Sequence, residues 1–74
     1  MMDHDIMYAI DFVSFLDRKF TITLQDGNTD TPLFTGSKYE VKRFLEQSDV
    51  DYILCDTSSM YTYGIKCVIY VETY

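Results

Sequence analysis

The sequence is poor in the residues on which most enzyme sites are built. Its one histidine, His4, stands near the start of the chain, and residues 1–5 are expected to be flexible, a weak platform for a general base or a metal ligand. Without His4 no Ser/His/Asp or Cys/His constellation can be assembled. Gly27, Gly36 and Gly64 stand apart from one another, so no glycine-rich loop is available to cradle a phosphate. A carboxylate pair working as acid and base stays open on residue types alone, but a chain of 74 residues leaves little volume for an enclosed pocket. The chain is therefore expected not to be an enzyme, with no catalytic, cofactor-binding or metal-binding residues.

Cysteine is scarce as well. Cys55 and Cys67 are too few for the disulfide framework of a small secreted domain. Both fall in apolar strand patterns, so buried reduced thiols are expected; a hairpin centred near Tyr61 is the arrangement that would set them opposite each other. The opening Met1-Met2-Asp3-His4-Asp5 is acidic where a signal peptide needs positive charge, and no apolar run approaches the ~20 residues of a membrane span. A cytoplasmic location is expected.

Basic residues are the last shortage. Six Lys and Arg against twelve Asp and Glu leave a net charge of −6. Such a field repels nucleic acid and anionic membrane and speeds encounters with basic proteins. Tyr61, Tyr63, Tyr70 and Tyr74 near Lys66 supply aromatic rings, but stacking platforms for nucleic acid lie in positive grooves, and one lysine does not make one. Direct nucleic-acid binding is not expected.

What the chain has in quantity is apolar surface: 47% hydrophobic residues, with seven Tyr and five Phe. Residues 1–74 are read as one domain with one core. In residues 6–15, Ile6, Tyr8, Ile10 and Phe12 alternate along one face, which predicts a first strand. After Asp17-Arg18-Lys19, the alternation of Phe20, Ile22 and Leu24 with threonines predicts a hairpin partner over 20–25, closed by the turn Asp26-Gly27-Asn28. Leu33 and Phe34 read as a short edge strand, where Pro32 is tolerated at the start. Ser37 and Glu40 have capping-box spacing and open a helix that ends near Gln47. Val41, Phe44 and Leu45 form its buried stripe, with Lys38, Lys42, Arg43 and Glu46 facing water.

Residues 50–56 read as a strand, 57–60 as a loop, and 61–72 as one long closing strand. In that last strand Ile65, Cys67, Ile69 and Val71 share one face, and Lys66, Val68, Tyr70 and Glu72 the other. The expected fold is α+β: a small antiparallel sheet of four to five strands with one helix on one face, in the order ββ(β)αββ. A single helix leaves the second face bare, and Tyr52, Val68, Tyr70 and Tyr74 are the residues expected to close it in a homodimer.

The acidic residues are grouped at turns and element ends. Asp26 and Asp30 share a turn, Glu46, Asp49 and Asp51 gather at the helix exit, and Asp56 closes the following strand. In an extended segment Asp49 and Asp51 would stand roughly 6.6 to 6.8 Å apart, about two phosphate steps of a DNA strand. Carboxylates so spaced would occupy the Lys and Arg side chains of a DNA-binding protein, and a two-fold dimer would double the row. In length, acidity, its single helix in a small sheet and the grouping of Glu46, Asp49 and Asp51, the sequence resembles the small acidic bacteriophage proteins that act as host-takeover or anti-defence inhibitors. Several of these mimic DNA, among them the dimeric type that blocks the nucleoid protein HU.

The resemblance implies a non-enzymatic inhibitor whose partner is a basic DNA-binding host protein, met through Asp26, Asp30, Glu46, Asp49, Asp51 and Asp56. It departs from that pattern in the exposed helix face, which carries Lys38, Lys42 and Arg43, so loops and strand ends would have to present the charge. The alternative expectation is a small adaptor or subunit that docks a protein through a tyrosine-rich apolar sheet face.

Overall fold

A computed structural model of the chain describes residues 6–55 and 60–74. His4, with Asp3 and Asp5, and Asp56 fall outside the described residues, so the expectations placed on them are not addressed. Helix α1 (Ala9–Ser14) is followed by β1 (Thr21–Asp26), β2 (Pro32–Gly36), α2 (Lys38–Gln47), β3 (Tyr52–Leu54), β4 (Met60–Tyr63) and β5 (Lys66–Thr73). The strands form one mixed sheet in the order β2-β1-β5-β3, with β4 also paired to β5. The α+β class expected from the sequence is the observed one.

The first expected strand is a helix instead. Ala9, Phe12, Val13 and Leu16 repeat at helical spacing, and that period prevails over the two-residue alternation of Ile6, Tyr8, Ile10 and Phe12. Ala9 and Val13 are buried, with Phe12 and Leu16 packed against the same core. Only the start of the segment is extended: Tyr8 bridges Ile53, and the Met7 carbonyl accepts the Leu54 N–H at 3.0 Å.

With no strand at 6–15, the hairpin expected around Asp17-Arg18-Lys19 does not exist. β1 pairs antiparallel with β2 and parallel with β5, so the sheet is mixed and not purely antiparallel. The parallel pair sets Ile22 beside Cys67 and Leu24 beside Ile69, and these four side chains, all fully buried, form the middle of the core with Val71, Val41, Val13 and Ala9. Both helices lie on this one face, which is the only way Val41 of α2 and Val13 of α1 can join a single cluster with the inward residues of β1 and β5.

The helix read from Ser37 forms as expected. Ser37 Oγ accepts the Glu40 N–H at 3.3 Å, and Glu40 Oε1 accepts the Ser37 N–H at 2.8 Å, completing a capping box. Phe44 stacks between Phe34 and Tyr52, at centroid distances of 4.8 and 6.4 Å. Lys38, expected in water, donates from Nζ to the Leu16 carbonyl at 2.9 Å and so ties the end of α1 to the start of α2. The expected edge strand is β2, which begins at Pro32.

The single long strand over 61–72 is a hairpin. Gly64 has φ 61°, a left-handed conformation that glycine adopts without strain, and it turns the chain so that Tyr63 pairs with Lys66 and Tyr61 with Val68. Thr62 therefore stands opposite Cys67. Cys55 donates its N–H to the Tyr70 carbonyl at 3.2 Å, three residues and about 10 Å along β5 from Cys67, out of range of a bridge. Cys67 is a buried thiol, and burial pushes its pKa up.

Candidate interaction surface

Connectivity decides where the charges go. β1 and β5 run in parallel and finish together, Asp26 beside Val71, and β3 starts at the same end because Tyr52 pairs with Thr73. α2 starts at the far end, after Gly36 has paired with Ile22, and returns to this end, since residues 48–51 alone join it to β3. Five of the six acidic residues singled out in the sequence are thereby brought to one end of the sheet: Asp26 and Asp30 in the turn after β1, Glu46 in the last turn of α2, and Asp49 and Asp51 in the link to β3. Asp56, the sixth, is not described.

These five do not play equal parts. Asp26 is committed to its turn: Oδ1 accepts the N–H groups of Asn28 and Thr29 at 2.7 and 3.3 Å, and its carbonyl accepts the Asp30 N–H at 2.8 Å. Asp30 has φ 59°, which a short polar side chain tolerates better than most, and its carbonyl accepts Gln25 Nε2 at 3.2 Å. Asp51 is pinned by its backbone carbonyl, which accepts the Tyr74 N–H at 2.9 Å. Asp30, Glu46, Asp49 and Asp51 all have exposed side chains. The extended spacing expected between Asp49 and Asp51 is not found: the chain bends at Asp49 and Val50, and the Val50 N–H turns back to Ser48 Oγ at 3.3 Å. A match to regular phosphate steps therefore does not hold here; what is present is a cluster.

The cations sit elsewhere. Arg18 and Lys19 precede β1, Lys66 opens β5 beside Thr21, and Lys38 opens α2, so four of the six basic residues occupy the opposite end. Lys42 and Arg43 lie one helical turn back from Glu46. Lys38 reaches a carbonyl and Lys19 lies over the Phe20 ring at 5.2 Å, neither against a carboxylate. Asp17 and Glu40, at the basic end, are engaged locally, Asp17 Oδ1 with the Lys19 N–H at 2.9 Å and Glu40 in the capping box. Glu72 was not singled out as a site residue. Its pairing with Ile53 places it near the acidic end, and only the β5 register could have revealed that.

The residues expected at a dimer seam are divided between two faces. Val68 and Tyr70 lie on the sheet face away from the helices, while Tyr52 alternates with Ile53 onto the helix side and packs on Phe44. Tyr52 is thus part of the interior packing, a correction to its expected place. Tyr74 is exposed and meets Tyr8 edge to face at 5.8 Å. On the outer face Tyr61 and Tyr70 are in ring contact at 6.1 Å, and the side-chain hydrogen bond to Tyr61, which holds the Tyr70 hydroxyl proton, with the charge of Tyr61 as a second cause, raises the pKa of Tyr70.

Two further features complete the surface. A shallow groove of about 380 Å³ between α2 and the β2 edge is lined by Phe34, Tyr39, Glu40, Arg43, Phe44 and Gln47. Among the described residues no group of three or more His, Cys, Asp or Glu is placed to hold a metal ion, and no described helix is long and apolar enough to cross a membrane. Comparison with protein-family models, with curated proteins and with solved structures finds no match.

Proposed function

We propose that this chain is a non-enzymatic acidic binding protein of the bacterial cytoplasm, an inhibitor that occupies the DNA-binding surface of a basic host protein such as a nucleoid protein. The observation that carries this reading is the segregation of charge: Asp26, Asp30, Glu46, Asp49 and Asp51 at one end of the sheet, four of the six basic residues at the other. Evenly mixed charges would cancel over a Debye length of about 8 to 10 Å. A one-sided cluster on turns presents carboxylates to Lys and Arg with little to displace. The fit is to a cationic surface in general and not to a phosphate repeat, since the chain bends between Asp49 and Asp51. The kinship to phage-encoded DNA mimics belongs to the same proposal.

The test is displacement. Labelled duplex DNA bound to a bacterial nucleoid protein is titrated with this chain and followed by fluorescence anisotropy. The wild type is expected to release the DNA, and a variant carrying Asp30→Asn, Glu46→Gln, Asp49→Asn and Asp51→Asn is expected to fail. Equal release by both would remove these carboxylates from the site. A second reading, an adaptor that docks through the outer sheet face, is favoured by the tyrosines gathered there; a complex of that kind would respond little to salt.

A further inference from the structure

Both helices cover one face of the sheet, and the other is bare. Its central row is Lys66, Val68, Tyr70 and Glu72 of β5, the residues that alternate with buried Cys67, Ile69 and Val71. Register adds Tyr61 beside Val68 and Tyr63 beside Lys66, Ile53 beside Glu72, and Tyr8 beside Ile53. Tyr8, Tyr61, Tyr63 and Tyr74 are 37, 52, 80 and 68% exposed. At about 200 Å² per aromatic side chain they alone leave roughly 500 Å² of ring surface in water, most of the ~800 Å² per partner of a stable interface. A patch of this size is at the upper end of what a monomer exposes and is often functional.

We infer that a second copy of this chain closes the face, packed about a two-fold axis with the two β5 strands antiparallel, Lys66 of each copy against Glu72 of the other. The outer row carries a cation at one end and an anion at the other, six residues and about 20 Å apart, with Val68 and Tyr70 between them. A two-fold axis lying in the face and crossing β5 between Val68 and Tyr70 brings the two opposite charges together twice. The parallel orientation would set Lys66 on Lys66 and Glu72 on Glu72. A foreign protein would have to supply this pattern; a second copy has it already. The antiparallel orientation also sends the two acidic ends to opposite ends of the dimer, where the −6 of each chain repels least. This inference does not rest on the proposed function: Glu46, Asp49 and Asp51 lie in the last turn of α2 and its link to β3, and of the four carboxylates changed in the binding test only Asp30 comes near enough to the paired face for its charge to act on Tyr70.

Charge exchange tests it on the full chain, by sedimentation equilibrium across micromolar to submillimolar concentration. The wild type is expected to reach twice the monomer mass of 8.7 kDa. Lys66→Glu and Glu72→Lys alone are each expected to weaken dimerisation roughly tenfold or more, two like-charged contacts replacing two ion pairs, and the combined exchange is expected to restore it. Glu72→Lys is the decisive arm. It reduces the net negative charge, so a dimer opposed only by general repulsion would tighten, whereas the paired geometry requires it to loosen. Circular dichroism checks that each variant is folded. A monomeric wild type overturns the inference, whatever else then binds the face, and so does a dimer that the single exchanges leave intact or the combined exchange fails to restore.

Discussion

Tyr74 donates its backbone N–H to the Asp51 carbonyl at 2.9 Å, so the acidic end of the molecule is held by the same ladder that holds the sheet. Asp26 stands beside Val71 on the other side of β5. The positions of Asp26 and Asp51 are thus set by backbone pairing, and the Asp51 carboxylate can be changed without loosening the strand that carries it. Asp26 differs, since its own carboxylate holds the turn. For that reason the carboxylate variant used to test binding keeps Asp26.

Gly27 is where the acidic turn meets the sheet most closely. Its N–H donates to the Val71 carbonyl at 2.8 Å, and a Cβ at this position would collide with Cys55 Sγ. Gly27→Ala is expected to destabilise the fold by about 1 to 3 kcal/mol, the usual range for overpacking. Urea denaturation measures this, and adding Cys55→Ala should recover about 1 kcal/mol or more as non-additivity between contacting sites. Simple addition of the two single effects would show that the collision is not the cause.

Gly64 demands glycine for a different reason. A Cβ there meets nothing within 4 Å, but its φ is +61°. Gly64→Ala is therefore expected to lose on the order of 1 kcal/mol through backbone strain alone, and Gly64→Asn less, because asparagine is at home in hairpin turns of positive φ. Thermal unfolding of the two variants checks the order; equal losses would contradict it.

Stability should fall on the alkaline side. Burial raises the Cys67 pKa above its ordinary 9.0, and Tyr61 raises that of Tyr70 above 10.0. A group whose folded pKa is raised binds its proton more tightly in the native state, so its contribution is complete below the unfolded pKa and is lost as pH rises through the folded value. Urea midpoints are expected to hold steady up to about pH 8.5 and then decline. Cys67→Ala should remove the first part of that decline and Tyr70→Phe the later part; a flat profile through pH 10 to 11 would contradict the assignment.

Much of the fold was legible where one signal stood alone. Ser37 and Glu40 announced α2 through a spacing that has one structural meaning, and Pro32 before Leu33 and Phe34 marked an edge strand. Residues 6–15 carried two periods at once, and only packing of Ala9 and Val13 against Val41 decides for the helix. The turn that divides the expected long strand is hidden in the sequence because Gly64 has no Asn or Asp neighbour to announce it. The parallel pairing of β1 with β5 is a long-range fact that no local pattern encodes. Acidic grouping at turns was visible in the sequence, but that the two groups share one end follows from the strand order. The face on which Tyr52 lies is not legible in the sequence, because either face of a short strand accepts a tyrosine.

Binding of basic proteins by a one-sided cluster of carboxylates can be read from a salt gradient over the immobilised chain. A bacterial lysate is passed over wild-type and carboxylate-variant columns at low ionic strength, and the retained proteins are eluted with rising salt and weighed by mass spectrometry. DNA-binding proteins are expected to be held by the wild type, to leave at moderate salt as charge pairs are screened, and to pass through the variant column. Retention of the same proteins by both columns, or release that ignores salt, would contradict it.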